Sequence, residues 1–424
     1  MLSWREFTFT HGANRMSRLA KVSVVALSVV VFLYVGLGYV LGKTTDDKSY
    51  RSLSVFGEVL QHIQEDYVDD PNMSVVTSGA MHGLLESLDP LSGYLSPREY
   101  ADYRDRMKNG IHGETGMTVS KRYGYIVIVS VVPDGPAEKA SLRGGEILES
   151  IGGFNTRDMS VGQANSLLMG AAGTPVKVAV IRRGKTEPQE VTVNRAVVGG
   201  QHIVADKVSD DVAYVRLPAM DPADVSELHD KLAQFDKQGI RKLLLDLRDC
   251  TRGDVSEAIV AAQFFLTSGK IASLEGQTVT HKDFEAEADK AVWHSSVDVL
   301  ISPSTSGAAE VLAGAIKGNK RGDLVGERTF GSASEQKIIP LDDGGALILT
   351  VAFYSTPDGK SIVEDGVAPT VEVRPKVVDQ SAEPTDKEEE LPAPLGPGQL
   401  PKPDDPVYNK ALELIKGGEA QKAA

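Results

Sequence analysis

The chain is poor in cysteine, in positive charge and in regularly spaced histidines. Its 424 residues include a single cysteine, Cys250, so no intrachain disulfide can form and the fold must rest on its apolar core. The 45 Lys and Arg residues are outnumbered by 59 Asp and Glu residues, which excludes the basic footprint of a nucleic-acid-binding protein. The eight histidines lack the spacing of metal-ligand pairs, so we predict neither a metal site nor a cofactor.

One long apolar stretch lies near the N-terminus. Residues 22–42 carry no charge, and a helix of these 21 residues is long enough to cross the hydrocarbon core of a bilayer. Basic residues precede the stretch and acidic residues follow it: Arg5, Arg15, Arg18 and Lys21 before, Asp46 and Asp47 after. A buried core helix is the alternative, but these flanks favour a single-pass anchor in the inner (plasma) membrane. Residues 1–21 would then be cytoplasmic, and all later domains periplasmic or extracellular.

The segments that follow this anchor predict a multi-domain α/β protein. Apolar residues recur every three or four positions in the first segment, which indicates helices, and alternate with polar residues in the second, which indicates short strands. The predicted segments are a helical N-terminal domain at 43–110, a strand-rich domain at 111–198, an α/β core at 199–375, a Pro- and Glu-rich linker at 376–404 and a short helix within 405–424.

Four short motifs mark the C-terminal half of the chain. They are Ser-Gly-Ala-Ala-Glu at 306–310, Phe-Gly-Ser at 330–332, Asp-Leu-Arg-Asp-Cys-Thr-Arg-Gly at 246–253 and Tyr-Ser-Thr-Pro-Asp-Gly at 354–359. These motifs resemble those of the C-terminal processing peptidases, which are tail-specific serine peptidases with a PDZ domain. That family reads Ala-Ser-Ala-Ser-Glu, Phe-Gly-Lys, LDLRxNPGG and YYTPxGxSI at the corresponding places. The resemblance implies a ClpP/crotonase-like α/β core.

In this register the two reacting side chains of the family are missing. Gly307 falls on the serine nucleophile, Ser332 on the lysine base and Gln336 on the third polar position, and the 25 residues from Gly307 to Ser332 match the family's spacing. Glycine has no side chain that could attack, and a serine hydroxyl is a far weaker base than a desolvated amine. The resemblance therefore predicts a pseudopeptidase that binds peptides or protein C-termini, or that regulates an active protease.

The resemblance also assigns the oxyanion loop to Arg252, Gly253 and Ala308. Only the second of the family's two adjacent glycines remains, as Gly253, and Arg252 places a bulky side chain at the first. Cys250 lies on the same loop without a histidine nearby in sequence. We interpret it as a small buried residue rather than as a substitute nucleophile.

A one-residue shift of the alignment gives a competing hypothesis, an active serine-type endopeptidase. Ser306 would then be the nucleophile, and Lys337, or less favourably Lys320, would be its base. The shift loses both the match at Glu310 and the nucleophile-to-base spacing, so we favour the inactive protein. A third hypothesis is a structural scaffold that neither cleaves nor binds peptides.

Residues 111–198 resemble the PDZ domain of the same family. The run Gly-Pro-Ala-Glu-Lys-Ala at 135–140 matches the family's SPAxxAG pattern, although Ser141 and Glu146 depart from the commoner Gly and Asp. A carboxylate-binding loop and the start of the peptide-receiving strand fall on Gly116, Met117, Thr118 and Val119. Such a loop offers backbone N–H groups to a terminal carboxylate, so peptides or protein C-termini are the expected partners. An active relative and a second copy of this chain are further candidates.

Overall fold

The computed structural model describes residues 22–23, 26–34, 47–109, 113–157, 159–182, 184–200, 202–363, 365–374 and 399–417. The chain divides into two units, residues 1–76 and residues 77–424. In the first unit residues 26–34 are helical, and apolar side chains such as Phe32 are exposed. No helix in the described part of the chain is long and apolar enough to cross a membrane. Residues 24–25 and 35–42 of the predicted anchor lie outside that part.

Helix α1 (Asp47–Asp66) follows in the first unit and confirms the helical periodicity read from the sequence. Phe56, Leu60 and Ile63 are half-buried at intervals of four and three residues, as expected for one stripe of a helix. Their neighbours on the other faces of α1 are exposed. Helix α2 (Met73–Glu86) starts in the first unit and continues into the second.

The second unit contains a strand that the sequence did not predict. Strand β1 (Gly93–Leu95) lies between α2 and helix α3 (Pro97–Asn109) and pairs antiparallel with residues 346–348. Asp89 shapes the preceding turn, because its carboxylate accepts hydrogen bonds from the backbone N–H groups that follow it. Three consecutive buried residues give β1 no alternation of apolar and polar positions, so period-two reasoning could not find it.

A six-stranded antiparallel sheet with two helices follows α3. Its strand order is β2-β3-β4-β6-β7, and β5 pairs with β4. The elements are β2 (Met117–Arg122), β3 (Tyr125–Val131), α4 (Pro136–Lys139), β4 (Ile147–Ile151), β5 (Phe154–Asn155), α5 (Val161–Leu168), β6 (Pro175–Ile181) and β7 (Gln189–Asn194). Strand β2 lies at the edge of this sheet, and α5 packs against it. This places the peptide-receiving strand predicted from the sequence beside a helix.

The α/β core contains two further sheets. The first has the order β17-β14-β13-β10-β9-β8 and is parallel except for β8, and the second has the order β1-β16-β11-β12 with β15 paired to β16. The core elements are β8 (Val204–Lys207), β9 (Val212–Arg216), α6 (Pro222–Lys237), β10 (Lys242–Asp246), α7 (Val255–Gln263), β11 (Lys270–Glu275), β12 (Lys282–Glu285), β13 (Ser296–Ile301), α8 (Ala308–Gly318), β14 (Leu324–Gly326), β15 (Ser334–Pro340), β16 (Ala346–Ser355), β17 (Val371–Glu372) and α9 (Pro406–Gly417).

The parallel sheet is covered on both faces, which explains why its central strands are continuously apolar. Leu243 and Leu245 face a core shared with α6, α7 and α8, whereas Leu244 faces the opposite core beneath α9. The short C-terminal helix predicted from the sequence is therefore confirmed, and it packs on the core sheet. Arg248 fastens its beginning by an ion pair of 2.7 Å with Asp405.

Candidate active site

Gly307 lies at a sharp turn between β13 and α8. Its φ of 62° and ψ of −119° form a conformation that side-chain-bearing residues adopt only under strain. A β-carbon added at Gly307 would have one neighbour within 4 Å, the Oγ atom of Ser332 at 3.9 Å. The positions assigned to nucleophile and base thus face each other, and there is room for a side chain between them.

The buried carboxylate of Glu310 holds this turn against the loop after β14. It accepts hydrogen bonds from the backbone N–H groups of Gly307 at 2.9 Å, Gly331 at 2.6 Å and Ser332 at 2.8 Å, and from the Thr329 hydroxyl. Burial raises the pKa of Glu310, and these four hydrogen bonds oppose the rise. None of the four donors is a nucleophile or a base, so this frame does not depend on catalytic side chains.

Two serine hydroxyls lie beside Gly307. Ser306 Oγ and Ser332 Oγ form a hydrogen bond of 2.7 Å, and Ser306 is only 7% exposed. Ser332, together with Gly307 and Ala308, lines a cleft of about 480 Å³. In the part of the chain that the structure describes, no amine forms a hydrogen bond with either hydroxyl.

The backbone of the oxyanion loop keeps the glycine that its geometry requires. Gly253 has a φ of 103°, and a β-carbon there would lie 2.0 Å from the carbonyl oxygen of Met220. Ala308 occupies the first turn of α8, where backbone N–H groups have no acceptor within the helix. Both residues line the cleft. Two of the residues predicted to form the oxyanion loop therefore line the same cleft as Gly307.

Arg252, which the resemblance assigns to the first glycine position of this loop, directs its bulky side chain away from the cleft. Its φ is not positive, so the position does not require glycine. Its side chain does not line the cleft, because its guanidinium group forms an ion pair of 3.1 Å with Glu114 in the PDZ domain. The substitution thus affects the contact between domains rather than the cleft.

The cleft also contains residues that sequence reasoning missed. Lys282, Phe284, Glu335 and Tyr354 line it from the second sheet. The Lys282 Nζ atom lies 4.5 Å from the centre of the Phe284 ring, and burial, together with a hydrogen bond to Glu335, raises the pKa of Tyr354. Lys282 and Phe284 are two apart on one strand and so share a face, which was the available signal.

The remaining predicted site residues are distributed differently. Gln336 lines the cleft and donates a hydrogen bond of 3.0 Å to the carbonyl oxygen of Leu91. Lys337 is exposed and does not line the cleft. Lys320 lies beyond the far end of α8, a helix of 11 residues that is roughly 16 Å long, and so is remote from Gly307. Cys250 is completely buried, and burial raises the pKa of its thiol.

The predicted carboxylate-binding loop lies at the start of β2. Gly116 has a φ of 72°, and the Thr115 carbonyl oxygen accepts a hydrogen bond of 2.9 Å from the Ala137 N–H of α4. Met117 and Val119 are buried, whereas Thr118 is half-buried. Within the described residues β2 pairs with β3 alone, so its other edge has no strand partner there.

A group of side chains joins the PDZ domain to the loops around the cleft. The Thr251 hydroxyl lies 2.8 Å from that of Thr118 and 3.0 Å from that of Ser130. Arg122 donates a hydrogen bond of 2.7 Å to the Phe330 carbonyl oxygen, and its guanidinium group lies 4.6 Å from the centre of the Phe330 ring. With the Arg252–Glu114 ion pair, we call these contacts the interdomain latch.

Comparison with known proteins agrees with this architecture. The profile of Peptidase family S41 matches residues 211–373, and that of the PDZ domain matches residues 127–182. A carboxy-terminal-processing protease of Bartonella bacilliformis is 31% identical over 333 residues, which cover 77% of this chain and 76% of that protein. A carboxy-terminal processing protease of Bacillus subtilis is 26% identical over 352 residues, covering 82% of this chain and 75% of that protein.

A solved structure shares the arrangement as well. The photosystem II D1 C-terminal processing protease superposes with a TM-score of 0.64 at 25% identity, over 76% of this chain and 93% of that one. Together with the identity to the Bartonella protein, the PDZ domain and the S41 core show that the chain belongs to the C-terminal processing peptidase family.

Proposed function

We propose that this chain is a pseudopeptidase of its family, which binds polypeptides without cutting them. The main support for this proposal is the pair of facing positions Gly307 and Ser332. Gly307 has only a hydrogen atom where a nucleophilic oxygen is needed, and Ser332 has a hydroxyl group where a basic amine is needed. Loss of the nucleophile alone lowers a serine protease's turnover by about a millionfold. The cleft lined by Gly307, Ala308 and Ser332 would then serve as a binding surface.

The PDZ domain supplies the proposed binding activity. Strand β2 has an edge without a strand partner in the described part of the chain, and the loop at Gly116 precedes it. An extended peptide would add to this edge through backbone hydrogen bonds, with its terminal carboxylate at the loop. The ligands we infer are peptides or protein C-termini, and an active relative or a second copy of this chain could present such a tail.

We further infer that residues 22–42 anchor the chain in the inner membrane and leave the later domains on its outer side. The uncharged run and its basic flank support this topology, as do the exposed apolar side chains of helical residues 26–34. The segments at 43–110, 111–198, 199–375 and 376–404 are proposed as the successive parts of the outer region.

The rival function is proteolysis by Ser306. Two observations oppose it. Ser306 is almost buried and its hydroxyl forms a hydrogen bond with that of Ser332. Lys337, the base that this hypothesis requires, does not line the cleft. Lys282 is the lysine that lines the cleft among the described residues, but it is exposed on β12 and forms no hydrogen bond with Ser306.

The test uses the full-length chain in detergent. We expect no cleavage of an unfolded protein that ends in Ala-Leu-Val, and no labelling by a fluorophosphonate probe. A fluorescent peptide with the same free C-terminus should bind saturably, and its C-terminally amidated form should bind much more weakly.

The outcomes separate the three hypotheses. Turnover that disappears in Ser306→Ala, or in Lys282→Ala, would establish an active enzyme and end the pseudopeptidase proposal. Absence of both cleavage and saturable peptide binding would leave the scaffold hypothesis.

A further inference from the structure

Two helix caps meet beside the edge strand of the PDZ domain. At the start of α3, the Ser96 N–H donates to Glu99 Oε2 at 2.8 Å. At the start of α5, the Ser160 N–H donates to Gln163 Oε1 at 3.0 Å, and the Gln163 N–H donates to Ser160 Oγ at 3.2 Å. The Gln163 Nε2 atom then donates to Glu99 Oε1 at 2.9 Å. The caps of α3 and α5 therefore form one hydrogen-bonded junction.

His82 of α2 completes this junction, and the surrounding hydrogen bonds indicate its protonation state. Its Nε2 atom lies 3.0 Å from Gln163 Nε2. The Ser160 N–H can only donate, so the Gln163 atom that faces it is the oxygen and the other is the NH₂ group. This NH₂ group can only donate, so His82 Nε2 must accept. In this arrangement His82 is neutral and its proton lies on Nδ1, a buried atom that has no hydrogen-bond partner among the described residues.

Several charged and titratable groups surround His82. Glu86 lies on the same helix, Glu99 on α3 and Lys121 on β2. Asp89 lines the same small cavity as His82. The ring of Tyr94 in β1 packs against the imidazole, with 5.4 Å between the ring centres. Burial lowers the pKa of His82 and Lys121 acts in the same direction, whereas Glu99 and Glu86 oppose the shift.

We propose that His82 is a pH-sensitive element that controls how tightly α5 packs against β2, the strand whose outer edge is proposed to bind peptides. A protonated ring would direct its Nε2–H at the Gln163 NH₂ group, donor against donor. Gln163 cannot escape by a flip, because its oxygen would then face the Glu99 carboxylate and its nitrogen the Ser160 N–H. Acid therefore opens the junction and removes the cap of α5.

The sign of the pH dependence follows from the lowered pKa. The unfolded chain binds the proton at His82 near pH 6.5, above the value at which the folded chain does. The junction's contribution to stability is thus complete above about pH 6.5 and is lost as the pH falls. Because α5 packs against β2, peptide affinity should fall over the same range. This last step rests on the proposed peptide binding.

The experiment measures the junction and the ligand separately on the full-length chain in detergent. Selective ¹⁵N-histidine NMR, assigned with His82→Gln, should show a protonated Nδ1 and an unprotonated Nε2 for His82 at about pH 7.5. Between about pH 7.5 and pH 5, amide exchange in α5 should accelerate about fivefold, and the affinity for a labelled peptide ending in Ala-Leu-Val should fall about fivefold.

His82→Gln should make both responses flat, because its side-chain oxygen can accept from Gln163 at every pH. The matched control, His294→Gln, changes an exposed histidine of the core and should leave both responses intact. A proton on Nε2, or an unchanged pH response in His82→Gln, would overturn the proposal. If no peptide binds at any pH while NMR and exchange behave as expected, the proposed peptide binding fails and the junction's titration stands.

Discussion

The peptidase cleft and the outer edge of β2 in the PDZ domain, which we call the PDZ groove, keep their shapes by different means. In the cleft, the carboxylate of Glu310 binds three backbone N–H groups and one threonine hydroxyl, so the reacting side chains add nothing to the frame. In the groove, side chains of β2 itself are engaged, because Thr118 and Arg122 bond to the loops of the core. The comparison teaches that catalytic residues could be replaced at Gly307 and Ser332 without loss of the fold, whereas replacements along β2 would disturb a domain contact.

Reinstalling the family's residues should produce the largest effect. Gly307→Ser combined with Ser332→Lys should make the full-length chain cleave an unfolded protein at a rate on the order of a thousandfold or more above either single variant, because both members of the pair are needed. The strained φ of Gly307 would cost some stability, but a β-carbon there meets only Ser332 Oγ. Cleavage is followed by mass spectrometry of the products.

The single variants serve as controls for this gain. Gly307→Ser alone lacks a base and Ser332→Lys alone lacks a nucleophile, so both should stay inactive. A folded double variant that neither cleaves nor reacts with a fluorophosphonate probe would show that the cleft has lost more than its reactive atoms.

Removing the charge that holds the cleft should have the next largest effect. Glu310→Gln replaces an acceptor oxygen by an NH₂ group that faces buried N–H donors, so we expect a loss of about 3 kcal/mol in the free energy of unfolding. Urea denaturation measures it. Glu285→Gln, at an exposed position of β12, should stay within about 0.5 kcal/mol of the unchanged chain.

The pH dependence of that difference sharpens the test. Because burial raises the folded-state pKa of Glu310, ionisation of this group costs stability as the pH rises from about 4 towards neutrality. Glu310→Gln should remove this contribution to the slope of the free energy of unfolding against pH. A variant that keeps both the stability and the slope would contradict the idea that Glu310 organises the cleft.

The sequence predicted the cleft better than its surroundings, for a physical reason. Gly307, Glu310 and Ser332 could be aligned with the family from short motifs, because each motif forms a single turn whose shape depends on residues close together in the chain. Strand β1 pairs with β16 and α9 packs on β10, β13 and β14, all of them distant in the chain, so no local pattern predicts these contacts. The direction of the Arg252 side chain could not be predicted for the same reason, since its partner Glu114 lies in another domain. His82 gave no signal, because its role depends on caps of two distant helices.

The smallest expected effect concerns the interdomain latch. Thr251→Val keeps the shape of the side chain but leaves the hydroxyls of Thr118 and Ser130 without their shared partner, a loss of about 1 kcal/mol. Because the loss falls on the contact between domains, amide exchange along β2 should accelerate about fivefold while that of α8 stays unchanged. Thr192→Val, at an exposed position of β7, is the matched control and should alter neither. Equal acceleration in β2 and α8 would mean that groove and cleft share one frame, and the distinction between them would fail.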